Sequence, residues 1–109
     1  KETCHIDWKK TSGQIHNLVR GLSPYPAAWC EWISTDNNCF GVKIYRTIPL
    51  PSKHNYAPGS IHTDGKNYID IACTDGFIRI EELQLAGKKR MTTPDLLRGF
   101  HLNDEFRCE

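Results

Sequence analysis

The sequence predicts a mainly β domain, a small and partly open β-barrel with one N-terminal helix and a short C-terminal helix. Three observations point there. Short strand-like runs are separated by Gly, Pro, Asp and Asn turn signals. Helical signals occur only near the two ends of the chain. Finally, Phe77–Leu85 alternates with a period of two and then slips, Ile78 and Ile80 lying in one phase and Leu83 and Leu85 in the other. One extra residue at Glu81–Glu82 restores the pattern, which predicts a β-bulge of the kind that bends a strand at a barrel corner. The strand ends at Ala86–Gly87 and delivers Lys88, Lys89 and Arg90 to one place on the surface.

In chain order, Lys1–Lys10 reads as the end of a linker, with Ile6 and Trp8 as the first core contacts. Thr11 and Gln14 have the spacing of a capping box. Ile15, Leu18, Val19 and Leu22 then follow at helical spacing, with His16, Asn17 and Arg20 on the polar face, read as solvated. Gly21 and Pro24 stop the helix, and Ser23–Pro26 reads as a stiff extended connector. A strand is expected over Ala27–Ser34 with Trp29 in the core, then a turn at Thr35–Asn38. In the next strand, Phe40–Ile48, the phase puts Phe40, Val42 and Ile44 inward and Lys43, Tyr45 and Thr47 outward. Arg46, in the inward phase, marks where that strand leaves the core.

Pro49–Pro58 reads as an irregular loop, and Pro58–Gly59 as a turn corner. Ser60–His62 and Tyr68–Cys73 form a hairpin around Thr63–Lys66, the second strand holding Ile69, Ile71 and Cys73 on one side. Thr74–Gly76 turns into the bulged strand. Thr93 as N-cap and Pro94 at the first helical position start a short helix that docks Leu96, Leu97 and Phe100. The core expected from these phases includes Trp8, Trp29, Ile44, Ile71, Ile80, Leu83 and Leu97. The architecture is OB-like.

The chain has 109 residues, which suits one domain over 11–109. Composition is ordinary for a globular protein, 39% hydrophobic and 25% charged, and the formal net charge of +1 names no polyanionic partner by itself. No apolar run is long enough to cross a bilayer and no signal-peptide pattern is present, so no membrane partner is expected. The one methionine is Met91 and the sequence starts at Lys1, which predicts a piece of a longer protein. Cys4, Cys30, Cys39, Cys73 and Cys108 are odd in number and irregular in spacing, which predicts thiols in a reducing cytoplasm rather than a disulfide framework. Their spacing gives no zinc motif, so no metal site is expected.

Catalytic motifs are lacking: there is no Gly-rich nucleotide loop and no nucleophile elbow. His62 and Asp64 flank a hairpin turn, where Asp serves the backbone, and Glu81–Glu82 is explained by the bulge. No catalytic residue, cofactor or cofactor-binding residue is therefore expected in this chain. Between Ala86 and Arg98 stand Lys88, Lys89, Arg90 and Arg98 against one acid, Asp95, and Lys43 faces solvent on its strand. A solvated charged surface is one reading of that excess. Binding to the nucleic-acid backbone is the other, since barrels of this kind often present a basic face to nucleic acid.

Several stretches decide between these. Ile6-Asp7-Trp8, Arg20-Gly21-Leu22-Ser23-Pro24-Tyr25-Pro26-Ala27-Ala28-Trp29, Ala57–Ile61, Thr74-Asp75-Gly76 and Glu82–Met91 together resemble the C-terminal domain of methionyl-tRNA formyltransferases, over nearly the whole chain. The resemblance implies a monomeric two-domain cytoplasmic enzyme that moves a formyl group from the co-substrate 10-formyltetrahydrofolate to the methionine of initiator tRNA. The N-terminal domain of such an enzyme holds the catalytic residues, and no motif of it is present here. The C-terminal domain presents positive charge to the tRNA, which makes Lys88, Lys89, Arg90, Lys43 and Arg20 the expected tRNA-binding residues. The alternatives are a structural module of a related formyltransferase acting on sugar nucleotides or folate, and a free-standing nucleic-acid-binding module.

Overall fold

In the computed structural model, which describes residues 4–109, the elements are α1 (Ser12–Leu22), β1 (Ala28–Ile33), β2 (Cys39–Pro51), β3 (Ile61–Thr63), β4 (Ile69–Cys73), β5 (Gly76–Leu85), β6 (Met91–Thr92), α2 (Thr93–Gly99) and β7 (Arg107–Cys108). The first three residues of the predicted linker end, 1–3, lie outside the described residues. All strand pairs are antiparallel, in the order β3-β4-β5-β2-β1-β7, with β6 beside β5. The two edges meet along a short seam. Arg107 bridges Ser60, and the Cys108 N–H donates to the Gly59 carbonyl at 2.8 Å. This is the nearly closed barrel with two helices that the sequence predicts. Gly59 has φ +91°, and a β-carbon there would strike the Cys108 carbonyl, so this position admits only glycine. The chain after His101, for which the sequence gives no element, thus supplies the closing strand.

The predicted bulge is present, and it has a counterpart on the facing strand. Ile44 pairs with Leu83, Arg46 with Glu82 and Thr47 with Ile80, so Tyr45 is extra on β2 and Glu81 is extra on β5. Each insertion reverses the phase of its own strand, and together they restore the original register. The inner face of β5 is therefore Ile78, Ile80, Leu83 and Leu85, as the slip in the pattern indicates. The inner face of β2 is Val42, Ile44 and Thr47. Two expectations are corrected by the second bulge: Thr47 is buried rather than outward, and Arg46 is turned to solvent while its strand runs on.

β2 continues to Pro51, three residues past the expected end at Ile48. Ser52 N–H donates to the Asp75 carbonyl at 3.0 Å, so hydrogen-bonded pairs fall on the even positions of β2 here. Pro49 and Pro51 occupy the alternate positions and face the side that β1 leaves open, since β1 pairs only with Cys39–Ile44. Their missing N–H groups break no ladder bond. By the same alternation the Ile80 carbonyl points away from β2, into the gap between the pairings of β4 and β6. The buried Thr93 hydroxyl donates to it at 2.6 Å. That use of Thr93 corrects its expected role as helix N-cap, which Thr92 takes, with Pro94 still in the first turn of α2.

Thr11 caps α1 with both bonds of the capping box: Gln14 N–H donates to Thr11 Oγ1 at 3.2 Å, and Thr11 N–H to Gln14 Oε1 at 3.1 Å. The helix also docks by its first residue. Ser12 N–H donates to the Asp75 carboxylate at 2.7 Å, which holds that acid below the ordinary carboxylate range, a placement the helix dipole favours too. On the polar face His16 is half-buried rather than fully solvated, its Nδ1 lying 2.9 Å from the Thr47 hydroxyl. Ser23–Pro26 folds as a turn rather than an extended connector: both prolyl bonds are cis, and Ala27 N–H returns to the Leu22 carbonyl at 2.9 Å.

Ile6, Trp8, Ile44, Ile71, Ile80, Leu83 and Leu97 lie in the core as expected. Trp29 does not. The inward residues of β1 are Ala28, Cys30 and Trp32, which places Trp29 on the outer face, half-buried, while Trp32 fills the core at 0% exposure. Cys30 and Cys108 face each other inside the barrel as thiols, their sulfurs 3.1 Å apart.

Truncating Ile80 or Leu83, which flank the bulge on the inner face of β5, to Ala should destabilise the domain by about 2–5 kcal/mol, from lost transfer energy plus the cavity left behind. Urea denaturation measures this, and a loss of less than about 1 kcal/mol is the result that contradicts it.

Candidate nucleic-acid interface

Past the paired bulges the outer faces of β1, β2 and β5 carry one row of side chains. Trp29 stands opposite Lys43, and Lys43 opposite Gln84. Gly41, two residues before Lys43, shares that face, and Ala86 N–H donates to its carbonyl at 2.9 Å. Trp29, Gly41, Lys43, Gln84, Ala86 and Gly87 line a shallow groove of about 340 Å³.

The turn that follows β5 is fastened to this face. Lys88 N–H closes onto the Leu85 carbonyl at 2.9 Å, with Gly87 at φ +81°. Gln84 clamps the turn from below: Tyr45 OH donates to its Oε1 at 2.7 Å, and its Nε2 donates to the Lys88 carbonyl at 2.8 Å. Arg90 adds a second anchor, with Nη2 2.6 Å from Glu82 Oε1 and the guanidinium 4.2 Å from the centre of the Tyr45 ring.

These anchors divide the predicted binding residues. Arg90 shares Glu82 with Arg46, whose Nη2 is 3.0 Å from Oε2 of the same carboxylate. Arg98 pairs with Asp95. Lys43, Lys88 and Lys89 are exposed, and among the described residues they form no ion pair. Lys43 and the 86–90 turn are brought together by the groove. Arg20 is not part of that arrangement: it is exposed on α1 and donates to Asn17 Oδ1 at 2.8 Å.

The acids that could suggest catalysis have structural work. Asp64 accepts backbone N–H groups from Lys66, Asn67 and Tyr68, which hold its carboxyl far below the ordinary range. His62 Nε2 lies 3.1 Å from the Ser60 hydroxyl, and Glu81 and Glu82 face Arg46. His54 explains the loop over Ser52–Ala57, for which the sequence offers no motif. Tyr56 N–H donates to its Nδ1 at 3.0 Å, so its Nε2 carries the proton and lies 2.9 and 2.8 Å from the Cys73 and Gly76 carbonyls. Among the described residues no cluster of three His, Cys, Asp or Glu could hold a metal ion, and no helix is long and apolar enough to cross a membrane.

Trp29, Tyr45 and Gln84 are the members of this face that sequence reasoning missed. Their roles depend on register and on the second bulge, neither of which leaves a sign in one strand read alone.

The family described as formyl transferase, C-terminal domain, matches residues 1–101. A methionyl-tRNA formyltransferase from Parabacteroides distasonis is 57% identical over 100 residues, covering 92% of this chain and 31% of the relative. One from Bacteroides fragilis is 50% identical over 109 residues, covering 100% and 34%. One from Flavobacterium johnsoniae is 48% identical over 105 residues, covering 96% and 33%. The chain therefore spans about a third of the length of the curated relatives it matches.

Replacing Gln84 by Ala removes both bonds of the clamp and should loosen the 86–90 turn while leaving the barrel intact. The expected result is faster amide exchange that is largest at residues 86–90, with a loss of global stability of about 1–3 kcal/mol for two hydrogen bonds seen as a smaller, uniform change in the core. Unchanged exchange at Lys88 contradicts the clamp.

Proposed function

The chain belongs to the formyl transferase C-terminal domain family, and on that footing we propose that it is the C-terminal domain of a methionyl-tRNA formyltransferase. In this reading the complete enzyme works in the cytoplasm as a monomer, transferring the formyl group of 10-formyltetrahydrofolate to the methionine of initiator tRNA. A preceding domain holds the folate and the catalytic groups. Residues 1–10 join the two domains, and 11–109 contribute affinity for the tRNA backbone.

The observation that carries the tRNA role is the set of three uncompensated lysines on one braced face. Arg90 and Arg46 spend their charge on Glu82, but Lys43, Lys88 and Lys89 have no carboxylate to satisfy them among the described residues. Such cations gain affinity by releasing the counterions condensed on a phosphate backbone, and that gain is blind to sequence. Arg90 serves mainly to hold the turn, and Arg20 would be a contact separate from the groove. The names of the relatives favour the tRNA enzyme over formyltransferases acting on sugar nucleotides or folate.

The isolated chain should show no formyl transfer, but it should bind tRNA with a dissociation constant on the order of 10⁻⁴ to 10⁻⁶ M, typical of electrostatic binding. Replacing Lys88 and Lys89 by Ala should weaken initiator and elongator tRNA alike, and flatten log affinity against log salt by about 0.9 for each lost phosphate contact. Formyl transfer by the isolated chain would overturn the division of labour. A double variant that binds as tightly as the parent at low salt would reduce the lysines to an ordinary solvated surface.

A further inference from the structure

We propose that the groove beside Trp29 is a stacking site for the base of an unpaired nucleotide, whose flanking phosphates rest on Lys43 and on the lysines of the 86–90 turn. The proposal rests on the tRNA reading above and adds to it a second kind of contact, apolar and specific for single-stranded RNA.

Trp29 stands on the outer face of β1, where the His5 ring leans on it with centroids 4.4 Å apart and 50° between planes. The indole also lines the groove, whose opposite side is Gly41, Ala86 and Gly87. Those three residues contribute almost no side chain, so a flat aromatic body has room against the indole.

Charge identifies the occupant. Lys43 stands opposite Trp29 within the groove, and Lys88 follows directly on its Gly87 rim. No carboxylate lines the groove itself, and Glu31, exposed on the same face and opposite Gly41, stands at its β1 edge. An apolar floor with a lysine at its centre and lysines on the side of the 86–90 turn suits a ligand that joins an aromatic body to an anionic group, which describes a nucleotide. Alternating aromatic and basic groups on a sheet face is the arrangement used to hold single-stranded nucleic acid, and stacking tolerates any base because every base has a π-face. Gln84 does not add base readout, because its amide is already committed to Tyr45 and Lys88. A base inside a duplex is stacked on both faces and cannot enter. The site therefore distinguishes unpaired from paired RNA, whereas the lysines alone do not.

The test compares two probes carrying equal numbers of phosphates, a single-stranded oligoribonucleotide of mixed sequence and a blunt RNA duplex. Of the three tryptophans Trp8 and Trp32 are buried, at 5% and 0% exposure, so quenching of tryptophan emission reports on Trp29. The single strand should quench it and the duplex should not. Trp29→Ala should weaken single-strand binding about 5- to 150-fold, the range expected for losing one stacked base, and leave duplex affinity and its salt slope at the parent values.

Gly41→Val provides a second route should Trp29→Ala fold poorly. A β-carbon at Gly41 meets only Ala86, at 3.8 Å, so the variant fits the strand while filling the groove. It should reproduce the single-strand defect. The stacking site is refuted if both variants bind the single strand like the parent, or if they weaken single strand and duplex equally. Failure of the parent to bind either RNA at low salt refutes the electrostatic reading instead.

Discussion

The paired insertion of Tyr45 and Glu81 is the constraint on which the rest of the barrel depends. A β-strand has only two faces, so one extra residue exchanges its inside for its outside. β2 and β5 make that exchange at the same level, and the barrel can bend there without exposing either hydrophobic series. Everything nearby follows from the exchange. Thr47 enters the core to meet His16 of α1, Arg46 swings out to Glu81 and Glu82, and the Ile80 carbonyl is freed for Thr93. The row of Tyr45 and Gln84 that braces the basic turn exists only because β5 has changed phase.

That dependence explains what the sequence revealed and what it concealed. The bulge on β5 was legible because Ile and Leu stand on both sides of it, so the slip is visible in one strand. Its partner on β2 was not, since Tyr45, Arg46 and Thr47 carry no unambiguous hydrophobic phase. The capping box of α1 was legible because both of its members are local. Trp29 misled because a large aromatic in an apolar run suggests a core residue, and the small Ala28 and Cys30 that actually face inward make a weaker signal than Trp29 does. At the candidate site the lysines could be named from composition, but their lack of acidic partners could not, because pairing with Glu82 and Asp95 is settled in three dimensions.

The distribution of charge carries more than its total. A formal net charge of +1 indicates no partner, yet it conceals a separation of roles. The arginines of this face are neutralised by the bulge acids and work as struts, and the lysines are left unpaired at the rim. Arginine suits the first task because its planar fork can bond carboxylate and lie over an aromatic ring together, as Arg90 does on Glu82 and Tyr45. Lysine suits the second, being a mobile point charge on a long stem that can follow a phosphate backbone without fixed geometry.

The seam between Gly59 and Cys108 bears on how the domain is acquired as well as on how it stands. The thiols of Cys30 and Cys108 meet across 78 positions of sequence, and β7 is two residues long. Contacts of such separation form late, because a long loop must close before they return anything. A chain that has been synthesised only as far as α2 holds nearly all of its core and yet offers two unpaired strand edges, one at β1 and one at Ser60. Exposed edges are templates for pairing with other chains. The interval between making α2 and placing Cys108 is thus the stage at which this barrel is most open to misassembly and to capture by chaperones.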